Sequence, residues 1–135
     1  MLESRSLSLV SDKQWVDAER SARESLKKEP NNGRAWFLLG LATHYQKKFD
    51  EARGAFERSI ALDHTPCLSY YNIACGHARQ GNVEEALDNL AISVECGYDD
   101  VDWMMEDPDF ASIRSNERFM EIVNSVPGRN PETMK

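Results

Sequence analysis

The N-terminal stretch of the 135-residue chain contains no continuous apolar run. Leu7, Leu9 and Val10 sit near the start among serines, too broken a pattern for a secretory leader or a membrane span. Basic charge is also scarce. Sixteen Lys and Arg face 23 Asp and Glu, for a net charge of −7 and a pI near 5.0. Phosphate backbones and anionic membrane surfaces both need a basic face, so neither nucleic acid nor a membrane is an expected partner. Cysteine is sparse and odd in number: Cys67, Cys75 and Cys96, with no CxxC spacing. That set does not read as a disulfide framework, and it points to a reducing compartment, hence the cytoplasm. No GxSxG, P-loop, HExxH or glycine-rich phosphate loop occurs, so nothing supports an enzyme. No cofactor is implied.

What is present is helical. Hydrophobic residues make up 41% of the chain, enough for one packed domain. From Trp36 to Gln46 the sequence is crowded with apolar residues. After the polar break at Lys47-Lys48, Phe49, Ala52, Phe56, Ser59 and Ile60 recur at steps of three and four, one face of a helix. The stretch reads as helix, tight turn, helix.

That unit recurs every 34 residues. Trp15, Phe49 and Val83 fall in register, as do Ala18, Ala52 and Ala86, and Ser25, Ser59 and Ser93. Leu26, Ile60 and Val94 match, and Asp17, Glu51 and Glu85 are all acidic. A 34-residue period of paired helices resembles the tetratricopeptide repeat. Trp36, Leu39 and Gly40 match the opening of its pattern, and Ala52 and Phe56 its second half. Thr43 stands where tyrosine is usual, and Pro66 arrives two residues late. The run YNIAC, GNVEEAL, DPDF and IR between Tyr70 and Arg114 resembles the "TPR end-of-group" terminus of bacterial repeat proteins. The resemblance implies an all-α fold: three stacked hairpins in a short right-handed solenoid, closed by two capping helices.

In chain order, a weak helix is expected over 2–11 and its partner over 14–28, then pairs at 34–46 with 49–62 and at 66–79 with 83–96. Thr65-Pro66 reads as N-cap and first helical residue, Asn82 to Glu85 as a capping box, and Gly97 as a left-handed cap. Asp107-Pro108 opens a short helix through Arg114, and Ser115 caps a last helix carrying Phe119, Ile122, Val123 and Val126. The expected organisation is one domain over 1–127, with repeats at 1–32, 33–66 and 67–98, caps at 99–127 and a disordered tail at 128–135.

Three constellations could carry chemistry. The acids Asp99, Asp100, Asp102, Glu106, Asp107 and Asp109 lack the central glycine of a calcium loop, and they read as caps of short helices. His44 and Cys75 are expected on inner faces of neighbouring helices, with His77 pointing elsewhere. Two ligands fall short of a zinc site, so no metal is expected. The third is a second apolar stripe. Trp36, Leu39, Gly40 and Thr43 pack inside the hairpin, which leaves Phe37, Leu38, Leu41, His44 and Tyr45 on another side. In the third pair Tyr70, Ile73 and Ala74 pack, leaving Leu68, Tyr71, Asn72, Cys75 and Ala78. The resemblance implies a concave partner-binding groove along this stripe, flanked by Arg34 and Arg79, that takes a protein segment with apolar anchors. The alternatives are that the chain's own terminal helices or a second copy cover it, as in a homodimer, or that the chain is a regulatory tail detached from a larger enzyme.

Overall fold

The computed structural model describes residues 11–128. The expected opening helix and most of the tail lie outside them. Among the described residues there are seven α-helices and one 3-10 turn, and no strand. They are α1 (Asp12–Lys28), α2 (Gly33–His44), α3 (Phe49–Ala61), α4 (Pro66–Arg79), α5 (Val83–Cys96), α6 (Val101–Glu106), the 3-10 turn Pro108–Phe110, and α7 (Glu117–Asn124). Each helix from α1 to α5 packs against the next, the order expected of a tetratricopeptide-like stack of hairpins.

The period is written in the backbone as well as in the side chains. The Lys48 amide donates to the Thr43 carbonyl, and 34 residues on Asn82 donates to His77, both at 2.9 Å. His64 donates to Ser59, and Tyr98 to Ser93. The residues that turn the chain at these four helix ends all have positive φ: Lys47 and Asp63 in the second hairpin, Gly81 and Gly97 in the third. Gly40 matters for packing. A Cβ there would lie 2.6 Å from the Phe56 ring, so the close crossing of α2 and α3 depends on its absence.

Several caps differ from expectation. Ser11, assigned from sequence to the opening helix, instead caps α1 in a box with Gln14. Thr65 has φ of 42° and no capping hydrogen bond, because a left-handed backbone turns its hydroxyl away from the helix amides. Asn82 does not cap α5 with its side chain; its Nδ2 meets His77 Nδ1 at 3.2 Å. Asn116, rather than Ser115, caps α7. The segment after Asp107 is a single 3-10 turn followed by turns, shorter than the helix expected through Arg114.

The cysteine reading requires correction. Cys67, in the first turn of α4, and Cys96, the last residue of α5, form a disulfide. Sequence separation of 29 residues hid a pairing that the antiparallel hairpin creates. The Ser93 hydroxyl donates to the Cys67 carbonyl at the same end. Cys75 is a free, buried thiol.

The main core lies between the third hairpin and the C-terminal segment. Leu87, Leu90, Met104, Phe110, Phe119 and Val123 are essentially inaccessible and form one cluster with Tyr71 and Ala74. A second cluster joins Trp15, Phe37, Leu41 and Phe56 of the first two hairpins with Ile73 of the third.

Candidate functional site on the second stripe of α2 and α4

On α2, the stripe expected to line a groove divides in two. Arg34 and Leu38 are exposed, Leu38 at 40%. Phe37 and Leu41 are buried. Phe37 meets Phe56 edge-on at 5.6 Å and belongs to the core, so it does not line an open surface. Trp36, expected inside, is only half-buried. Its indole N–H donates to the Pro30 carbonyl at 2.8 Å, and Arg58 lies over its ring. Phe37 is enclosed by Phe56 and Ile73, whereas Trp36 packs at the margin of the smaller cluster of Ala22, Leu39 and Ala55. Tyr45 is half-buried and stacks on Trp15 at 4.8 Å. Burial, with the acidic groups of Cys75, Asp109 and Asp107 nearby, pushes its phenol above the usual range.

On α4 the stripe is covered. Tyr71, Asn72 and Cys75 are all buried, while Tyr70, expected inside, is half-buried. The cover is the chain's own Asp107-Pro108-Asp109-Phe110 segment. Phe110 packs edge-on against Tyr71 at 5.4 Å, and Tyr98 stacks on the other face of the cluster at 4.1 Å from Tyr71. The Tyr71 hydroxyl donates to Asp107 Oδ2 at 2.6 Å, and the Cys75 thiol lies 3.7 Å from the same oxygen. The Asp109 amide donates to Asp107 Oδ1, and Arg114 to the Asp107 carbonyl.

Asp109 holds the neighbouring helices together. Its Oδ2 lies 3.0 Å from His44 Nε2 on α2, and its Oδ1 accepts from Arg79 Nη1 on α4 at 2.8 Å. One carboxylate therefore bridges two hairpins. Burial opposes its charge, but the hydrogen bonds and charges of His44 and Arg79 outweigh burial and hold the carboxyl below its ordinary value. Asp107 behaves oppositely. Burial, reinforced by the Asp109 charge, raises its carboxyl despite the Tyr71 hydrogen bond. Burial and Asp107 together push the Cys75 thiol well up, so it is no nucleophile.

The donor atoms of Cys75, Asp107 and Asp109 lie within 4.8 Å of one another, and His44 adjoins them. Each carboxylate oxygen already accepts from a protein donor, which accounts for the cluster as a hydrogen-bonded tether. Sequence reading placed His44 and Cys75 on facing helices but missed what lies between them. The two acids of DPDF were read as caps, and Asp107 is one. Nothing in the spacing of Asp109 revealed its partners, which stand 65 and 30 residues away. His77 turns away, as expected, and meets Arg53.

The family model described as tetratricopeptide repeat matches residues 5–64. Among curated proteins, the chain is 29% identical over 83 residues to a chloroplastic protein of Arabidopsis thaliana, covering 59% of this chain and 25% of that protein. It is 28% identical over 81 residues to Superkiller complex protein 3 of Mus musculus, covering 60% of this chain and 5% of that one. The chain thus spans a quarter or less of the length of these relatives. No solved structure matches. Among the described residues, no helix is long and apolar enough to cross a membrane. The family match, together with the sequential hairpin packing and the repeated helix ends, supports a tetratricopeptide repeat protein.

Proposed function

We propose that the chain is a non-catalytic protein-interaction adaptor that receives a segment of a partner protein along the open edge of α2. The observation behind this reading is the tetratricopeptide match over the hairpins that carry α2. Arg34, Leu38 and Tyr45 are spaced four and seven residues apart, so they share one side of the helix. Leu38 is an exposed apolar anchor, and Arg34 an exposed cation above it. Arg79 flanks the far end, neutralised on one side by Asp109. Phe37, Leu41, His44, Tyr71, Asn72 and Cys75 act from beneath, as the rigid floor that positions this edge. The partner segment is a helix or extended strand with one or two apolar anchors and an acidic residue for Arg34. The segment after Gly97 fits an end-of-group type of terminus that closes the stack.

The test is site-specific photo-crosslinking from position 38 in cells of the source organism, with position 16 as the control because Val16 is comparably exposed on α1. A discrete heterologous adduct from position 38, lost in Arg34→Glu, is the expected result. Equal adducts from both positions, or none, would count against the edge. Adducts of the chain with itself would favour the homodimer.

A further inference from the structure

We propose that the Cys67–Cys96 disulfide is an exchangeable clasp that governs local opening of the junction between the third hairpin and the C-terminal cap. The inference does not depend on where a partner binds. The bond joins the first turn of α4 to the last residue of α5, the point from which the chain leaves for the cap. Gly97 follows with φ of 130°, and then Tyr98, whose ring stacks on Tyr71 beneath the Asp107 carboxylate. The junction is held by the disulfide, the hydrogen bond from Ser93 to the Cys67 carbonyl, the backbone hydrogen bonds from Gly97 and Tyr98 to the Ser93 carbonyl, and the aromatic stack. Only the first is covalent.

The bond is also reachable. Cys96 is exposed and Cys67 half-buried, whereas Cys75 is sealed in the core and cannot act as an internal exchange partner. A dithiol reductant can attack the Cys96 sulfur as thiolate and displace Cys67 as thiolate. Its second thiol then releases Cys96, and the reductant leaves as its own disulfide. Two electrons and two protons pass to the protein, which ends with two thiols. Loss of the bond frees the open states of the junction from a tether that limits their conformational entropy. The cap beyond it keeps Phe110, Phe119 and the Asp109 bridge, and Trp103 and Met104 anchor α6 in the same core, so opening is confined to the facing ends of α4 and α5 and the turn after Cys96.

Two measurements test this on the full chain. Alkylation and intact mass under denaturing conditions, without reductant, should label one cysteine, Cys75, and after dithiothreitol all three. Three labels without reductant would overturn the clasp. Amide exchange by mass spectrometry should then show the end of α5 and the turn after it, residues 94–100, exchanging several-fold faster after dithiothreitol, with α1 to α3 and α6 unchanged. Cys67→Ser/Cys96→Ser should reproduce the pattern with no reductant present. The melting temperature should fall by roughly 10 °C, from the loop entropy expected of a bond spanning this separation. Exchange that is unchanged, or that rises equally throughout the chain, would overturn the proposal of local opening.

Discussion

Helices α2 and α4 stand one period apart and meet different surroundings. Leu38 of α2 is 40% exposed; its counterpart Asn72 of α4 is 6% exposed. Leu41 lies in the core cluster with Trp15, Phe56 and Ile73, and its counterpart Cys75 lies under Asp107. The repeat dictates where each side chain points. What meets it is decided by the non-repeating segment after Gly97, which covers α4 at Tyr71 and Cys75 and meets α2 at His44. A stripe that is apolar in both helices therefore has two fates. One part is closed by the chain's own aromatic turn, and the other keeps an accessible edge.

The largest effects should come from the closed side. Phe110 is inaccessible and wedged between Tyr71 and Phe119. Phe110→Ala should cost about 3–5 kcal/mol in urea unfolding, as a fully buried aromatic truncation. A cost below about 1 kcal/mol would mean that the turn merely rests on α4. Asp109→Ala comes next. It leaves Arg79 and the buried His44 without their shared acceptor, at a cost of about 1–3 kcal/mol. Arg79 is partly exposed and can recover hydration, which keeps the figure below that for a fully buried pair. Loss of contact between the second and third hairpins should show as broadened amide signals around His44.

The two acids of the turn predict opposite pH responses. Asp107 has a raised folded-state value, so its contribution is present at low pH and is lost as pH rises through that value. Asp109 has a depressed one, so its contribution is present above the ordinary aspartate range and is lost as pH falls through the lower folded value. Asp107→Asn keeps an acceptor for Tyr71 and removes the first response only. Melting curves should show the variant gaining on the parent protein at neutral pH and converging with it as acid protonates Asp107. A constant difference at all pH values would show that the carboxyl is not perturbed.

The legible part of the fold was the part that repeats. Ala18, Ala52 and Ala86 revealed the period because an alanine is required wherever two helices touch closely, and Gly40 with Phe56 revealed the crossing. The last capping helix was also legible, since Phe119, Ile122, Val123 and Val126 form one stripe, and all are buried. Partners across the period were not. Cys67 and Cys96, or His44 and Asp109, carry no local signal, because their proximity follows from how hairpins stack and where the cap lands. The inner and second stripes of each inward helix were also confused. Phe37 and Tyr71 proved to be core, while Trp36 and Tyr70 are half-buried, because a helix enclosed on three sides has no single apolar face.

A smaller effect compares the two hairpins directly. Lys47 and Gly81 occupy the same left-handed turn position, with φ of 66° and 81°. Lysine pays for its Cβ in this region and glycine does not. Lys47→Gly should therefore stabilise by about 0.5–1 kcal/mol, whereas Gly81→Ala should destabilise by a similar amount. If both substitutions destabilise, the lysine side chain contributes contacts that its exposure does not suggest.

The smallest effect on stability belongs to Leu38, and it is the most informative about function. Leu38→Ala removes a side chain that is 40% exposed, so unfolding should change by less than about 0.5 kcal/mol. Its counterpart in the core, Leu39→Ala, should cost about 2–5 kcal/mol, because Leu39 is buried against Ala22 and Ala55. Once a binding partner has been isolated, the order should invert: Leu38→Asp should weaken capture at least tenfold while the melting temperature stays within a few degrees. An exposed anchor contributes when it is desolvated by a partner and not before, so stability and binding separate at this position. If Leu38→Asp unfolds the protein as Leu39→Ala does, the edge of α2 is covered like that of α4. If it leaves both folding and capture intact, the partner uses another face, and the open half of the stripe is simply uncovered surface.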